Sequence, residues 1–99
     1  MTEIFFDWQV RLIDDVTLHY VEAGEGTPLI IIPSWSLTGA AYKHQLSALS
    51  RTRRVIALDM RGHGESSTPE TGYRVSRLAA DLRALIEALD VPEVDLLGH

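Results

Sequence analysis

Three short segments of this chain carry residue types that could do chemistry. Asp59-Met60-Arg61-Gly62-His63-Gly64-Glu65-Ser66 places a carboxylate, a guanidinium and an imidazole at alternate positions, interleaved with glycines. Asp59, Arg61 and His63 can be read as an acid–base cluster, or the glycines can be read as permitting a tight backbone turn with an architectural role. Pro33-Ser34-Trp35-Ser36 offers two hydroxyls and an indole, but no local base to activate Ser34 or Ser36 as a nucleophile. Gly98-His99 follows the apolar run Val94-Asp95-Leu96-Leu97 and matches the first two residues of G-x-S-x-G, a turn that lifts a nucleophile above a sheet. The attacking residue then belongs at position 100, so no catalytic residue is expected within the 99-residue chain itself.

Such residues need elements to hold them. Trp8, Val10 and Leu12 alternate with polar residues, as a half-buried strand does. Asp14-Asp15 is a plausible tight turn, and Val16, Leu18 and Tyr20 then alternate in a second strand, completing an antiparallel hairpin. After the break at Gly24-Glu25-Gly26-Thr27-Pro28 the pattern changes. Leu29-Ile30-Ile31-Ile32 is uniformly apolar, as expected of a strand covered on both faces, and 54–58 and 94–97 have the same short form. Tyr42, Leu46 and Leu49 predict one intervening helix, with Thr38 as its N-cap. Val75, Leu78, Ala79, Leu82, Leu85, Ile86 and Leu89 trace one face of a second, which Pro92 prevents from continuing. The predicted fold class is α/β: a hairpin followed by a parallel βαβαβ arrangement with helices on both faces of the sheet. Ligands of such sheets bind beyond the carboxyl ends of the parallel strands, where all three segments fall.

Composition narrows the rest. The chain is 45% apolar and 23% charged, an ordinary globular balance, and forms one domain at most. A net charge of −5 argues against a nucleic-acid partner or an anionic membrane surface. With no cysteine there is no disulfide, thiolate metal site or Cys nucleophile. No apolar stretch approaches a membrane span and the N-terminus lacks a signal-peptide pattern, so a cytoplasmic setting is expected. His19 and His44 have no second ligand at metal spacing and read as surface residues; no metal and no cofactor is expected. Gly24-Glu25-Gly26 precedes a strand, and Gly62-His63-Gly64 has Ser67 where a third glycine should be, so neither is a dinucleotide fingerprint.

The Asp59–Ser66 segment matches the D-x-R-G-x-G-x-S loop of the α/β-hydrolase family, after the corresponding strand. With the hairpin, the spacing and Gly98-His99, the chain from about Val10 to His99 resembles that family's N-terminal half. The resemblance implies an incomplete single domain over 1–99. It implies that Asp59, Arg61, Gly62 and Gly64 form a structural loop, and that Gly98 and His99 open the nucleophile elbow, His99 as a packing or hydrogen-bonding support. The catalytic acid and histidine would follow the nucleophile in the chain. The family's loop after its third strand supplies one N–H of an oxyanion hole, and this donor falls on Trp35, with Ser34, Trp35 and Ser36 lining the substrate pocket. Losing such a donor can cost about 3 kcal/mol of barrier. This chain departs from the family pattern, with Pro33 and Ser34 in place of His and Gly, and Trp35 can also be read as a core aromatic capping the sheet.

The leading expectation is therefore the N-terminal portion of a serine hydrolase of esters, lactones or similar small-molecule acyl compounds, working through an acyl-enzyme. Asp at position 100 would instead imply dehalogenase or epoxide-hydrolase chemistry, although the Pro33–Ser36 segment lacks the features of those branches. A catalytically inactive fragment and a silent, ligand-binding family member are the other readings. The chain alone is expected to be inactive. Substrate identity, cap and oligomeric state are open.

Overall fold

Leu29, Ile30 and Ile31 follow one another without a polar break, so both sides of their strand must be shielded from water, and all three are buried. They lie in β3 (Pro28–Ile32), which is flanked in the sheet by β4 (Arg54–Leu58) and β5 (Asp95–Gly98). The computed structural model describes residues 6–11, 16–34, 37–71 and 73–98. β1 (Phe6–Arg11) and β2 (Thr17–Ala23) precede β3; a 3₁₀ turn (Gly39–Tyr42) and α1 (Lys43–Leu49) join β3 to β4; α2 (Val75–Leu89) joins β4 to β5. The strand order is β1-β2-β4-β3-β5. β1 pairs with β2 and β2 with β4 antiparallel, while β3 runs parallel to both β4 and β5. This is the predicted hairpin followed by parallel βαβαβ.

Alternation along the central strands sends successive side chains to two separate cores. Ile31, Val55 and Ala57 pack with Tyr42 and Leu46 on the α1 side. Ile30, Ile56 and Leu58 pack with Leu18, Tyr20 and Leu85 on the α2 side. Helices therefore cover both faces, as expected.

Several details differ from the sequence reading. β1 is exposed along nearly its whole length, with only Val10 part-buried, because it is an edge strand; Phe6 and Trp8 stack with ring centroids 6.2 Å apart. Leu12 and the Asp14-Asp15 turn lie outside the described residues. β5 starts at Asp95 and is exposed throughout, since it pairs only with β3 on this sheet. Thr38 makes no side-chain cap. The chain enters a 3₁₀ turn instead, and the Gly39 N–H is met by Asp59 Oδ1 at 2.6 Å. Gly39 is required by close approach: a Cβ there would lie 2.7 Å from the Ala57 carbonyl oxygen. On α2, Val75 is 81% exposed despite its place on the apolar face, whereas Asp81, an acidic residue within that face, is fully buried. The helix ends at Asp90, in the left-handed region at φ 52°, two residues before Pro92.

Candidate active site

The carboxyl ends of β3, β4 and β5 come together at one edge of the fold. β3 and β5 are paired in register with Ile32 opposite Gly98. Adjacent strands lie about 4.8 Å apart, so β3 and β5 end side by side at Ile32 and Gly98. Pro33 is buried and Ser34 half-buried. The Ser34 N–H donates to the Tyr42 hydroxyl at 3.1 Å, and the Leu37 N–H donates to the Ser34 carbonyl at 3.0 Å. Trp35, Ser36 and His99, named as oxyanion donor, pocket residue and elbow residue, lie outside the described residues. Gly98 is exposed, with open space where a Cβ would stand.

Ser34 borders an apolar cleft of about 270 Å³, with Leu37, Met60 and His63 on one wall and Leu78, Ala79 and Leu82 of α2 on the other. Gly98 does not border it. It lines a smaller depression of about 190 Å³ with Ile31, Tyr42, Gln45 and Leu97. The Tyr42 hydroxyl thus reaches the loop after β3, and Tyr42 and Gly98 line the same depression.

Asp59 and Arg61 engage different partners. Asp59 is 3% exposed, and its carboxylate accepts the Gly39 N–H at 2.6 Å, the Glu65 N–H at 3.1 Å and His19 Nδ1 at 2.8 Å. It ties the loop after β3, its own loop and β2 together. Arg61 forms a two-pronged pair with Asp81 on α2, Nε to Oδ2 at 2.6 Å and Nη2 to Oδ1 at 2.7 Å. Gly62 and Gly64 both occupy the left-handed region, at φ +79° and +50°. A Cβ at Gly64 would collide with the Asp59 carboxylate. Ser66 completes the knot: its hydroxyl donates to the Asp59 carbonyl at 2.6 Å and accepts the His19 N–H at 2.8 Å. Among their described partners, Asp59, Arg61 and His63 do not converge on a shared reacting position. His63 Nδ1 lies 3.0 Å from the Arg61 carbonyl and its ring borders the apolar cleft.

His19 corrects the sequence reading. It is buried, 5% exposed, because the face of β2 opposite Leu18 and Tyr20 is covered by the 59–67 loop rather than by water. Its Nε2 lies 3.0 Å from Asp7 and 3.1 Å from Glu65. Among the described residues, Asp7, His19 and Glu65 present ligand atoms within 4.8 Å of one another, so they are the group that could hold a metal ion. A proton accounts for the arrangement equally well. An imidazolium donates from both ring nitrogens, and here each nitrogen faces carboxylate. Burial pushes the imidazole pKa down, but the hydrogen bonds to Asp59 and Asp7 and the charges of Asp59 and Glu65 outweigh it, and the net shift is upward from 6.5.

A raised folded-state pKa contributes stability that is present below the unfolded value and lost as pH rises through the folded one. Melting temperature is accordingly expected to fall as pH is taken upward from 6.5, and His19→Gln should remove that part of the slope. Parallel profiles for the two proteins between pH 5 and about 9 would show that His19 carries no such linkage.

Residues 27–99 match the family model of the alpha/beta hydrolase fold. The chain belongs to the α/β-hydrolase family. It is 35% identical over 88 residues to a soluble epoxide hydrolase of a Corynebacterium species, covering 89% of this chain and 31% of that protein. It is 39% identical over 87 residues to a non-heme chloroperoxidase of Kitasatospora aureofaciens, covering 87% of this chain and 32% of that protein. Among solved structures, an epoxide hydrolase without ligand superposes with a TM-score of 0.91 at 33% identity, over 97% of this chain and 34% of the other. This chain therefore spans about a third of the length of these α/β-hydrolases. Among the described residues, no helix is long and apolar enough to cross a membrane.

Proposed function

We propose that this α/β-hydrolase chain supplies the sheet and the oxyanion side of a serine acyl hydrolase, acting on esters, lactones or similar small molecules. The observation that carries the reading is the β3–β5 register, with Ile32 opposite Gly98. That register supports a reading in which the loop that begins at Pro33 lies beside a nucleophile following His99. In that arrangement a serine at position 100 attacks the carbonyl carbon, the carbonyl oxygen takes the negative charge, and an N–H of the neighbouring loop, assigned to Trp35, stabilises it. A histidine contributed by later sequence takes the serine proton and gives it to the alcohol oxygen as the oxyanion collapses and the ester C–O bond breaks; water, deprotonated by the same histidine, then attacks the acyl-enzyme, and the acid product leaves with the serine restored. Ser34 and the apolar cleft beside it suit the hydrocarbon part of a small acyl substrate. The Asp59 loop serves as architecture in this reading: its polar groups are occupied in joining β2, α2 and the loop after β3.

The protein carrying this chain is expected to hydrolyse a p-nitrophenyl ester with a burst of nitrophenol matching the enzyme concentration. A second reading, an aspartate nucleophile opening epoxides, is favoured by the identity to the Corynebacterium epoxide hydrolase. Turnover of styrene oxide without turnover of the ester would select it over the serine reading.

A further inference from the structure

The face of β2 that the 59–67 loop covers carries a second cluster of polar groups, centred on the His19 imidazole. That side chain is only 6% exposed. Behind it the buried Asp59 carboxylate lies 2.8 Å from Nδ1. A carboxylate offers only acceptor oxygens, so Nδ1 carries a hydrogen and donates it to Asp59. The other nitrogen, Nε2, faces Asp7 Oδ1 at 3.0 Å and Glu65 Oε2 at 3.1 Å. In the neutral ring Nε2 therefore aims a lone pair at two further carboxylates. Three electron-rich atoms in that arrangement repel one another unless a cation lies among them.

A proton on Nε2 fits the two distances, but it serves the cluster incompletely. One N–H cannot point along the line to both oxygens. One imidazolium also leaves the three carboxylates Asp7, Asp59 and Glu65 with negative charge in excess. Lys43 lines the same cavity, yet it is exposed and forms no ion pair with them. A divalent ion on the neutral ring neutralises more of that charge and accepts all three lone pairs.

The geometry suits such an ion. Neighbouring ligand atoms on a zinc-like ion, bonded at about 2.0–2.2 Å, lie about 3–3.5 Å apart. Nε2 already has that separation from each oxygen, and all three atoms fall within 4.8 Å of one another. Asp7 and Glu65 are 70% and 72% exposed, so their carboxylates can turn through water to close the remainder. Their backbones are held: Asp7 lies in the β1–β2 ladder, and the Glu65 N–H donates to Asp59. The three residues border a cavity of about 420 Å³, which supplies an entry path and room for water at a fourth position. A carboxylate behind the imidazole is the usual support of a metal-bound histidine, fixing its tautomer and raising its basicity.

We propose that Asp7, His19 and Glu65 bind a divalent transition-metal ion of the zinc class, with Asp59 holding the His19 ring from behind. The bound ion ties edge strand β1 and the 59–67 loop to β2. This clamp is independent of the serine reading and uses described residues alone.

The test uses the protein carrying this chain, stripped with EDTA, dialysed and titrated with zinc chloride alone at about pH 8, because a metal ligand must be deprotonated. Calorimetry is expected to show a site with Kd about 1–10 μM. Zinc at a hundredfold excess over Kd is expected to raise the melting temperature by about 5 °C. Asp7→Asn and Glu65→Gln alter exposed side chains, so both variants should fold, and each is expected to weaken zinc binding about tenfold or more. Magnesium, which favours oxygen ligands over imidazole, is expected to bind at least about a hundredfold more weakly than zinc. Zinc affinity weaker than about 1 mM would overturn the proposal. Binding left unchanged in both variants would overturn it too, by placing the ion on other residues. Magnesium binding as tightly as zinc would contradict ligation by His19.

Discussion

Asp81→Ala is expected to destabilise the fold by about 3–5 kcal/mol, the cost of stripping a buried charge of its partner. Arg61 is 2% exposed and Asp81 fully buried, so neither charge can turn to water when the other is removed. The guanidinium meets both carboxylate oxygens at 2.6 and 2.7 Å, and Arg77 approaches the same carboxylate at 3.4 Å. Removing Asp81 thus leaves two cations facing one another at the junction of α2 and the 59–67 loop. Domains of this size have total stabilities of about 5–15 kcal/mol, so the variant should unfold near ambient temperature or at low denaturant. Replacing the pair together, Arg61→Met with Asp81→Leu, is expected to recover much of the loss, because two apolar residues need no partner. Urea unfolding of the single and double variants measures both effects. A single variant within about 1 kcal/mol of wild type would mean that solvent reaches Arg61.

Asp59→Ala is expected to cost a comparable amount, about 3–5 kcal/mol, for a different reason. Its carboxylate is the shared acceptor for Gly39, Glu65 and His19, and alanine leaves two backbone donors and an imidazole without it. Asp59→Asn retains the shape but only one acceptor oxygen, so a smaller loss of about 1–3 kcal/mol is expected. The two variants also differ from Asp81→Ala in their pH response. Removing the Asp59 charge withdraws the leading upward influence on the His19 pKa, and the fall in stability above pH 6.5 should shrink. Denaturant midpoints across that pH range would show it, and an unaltered slope would place the origin of the pH dependence elsewhere.

Much of this fold was readable because local pattern and global burial agree in its centre. An unbroken run such as Leu29–Ile32 has one stable setting, a strand covered on both sides, and the heptad-like spacing from Leu78 to Leu89 has one, a helix laid on a sheet. The edges were less readable. Exposure of Trp8, Leu96 and Leu97 depends on which strands neighbour them, and strand order is a nonlocal property.

The candidate site shows the same division. The Asp59 loop announces itself through its glycines, but its partners do not. His19 lies between Leu18 and Tyr20, so simple alternation turns it outward; only the pairing of β2 with β4, Tyr20 opposite Leu58, brings it to Asp59. Asp81 had a local signal, since it sits three residues after Leu78 and four before Leu85 on the buried stripe. A charge in that place needs a buried partner of opposite sign, and Arg61 is the one that the glycine-rich loop delivers. Tyr42 was legible as a core residue, whereas the use of its hydroxyl depends on where the chain goes after Pro33.

The acyl-hydrolase proposal stands or falls with a serine nucleophile following His99, beside the loop that leaves β3. The most direct measurement is reaction of the protein carrying this chain with a fluorophosphonate, followed by intact mass and peptide mapping. One adduct per protein is expected, on a serine in the peptide that continues from Gly98-His99, with ester hydrolysis lost in proportion. An adduct elsewhere, or full activity in an unlabelled protein with aspartate at that position, would contradict it.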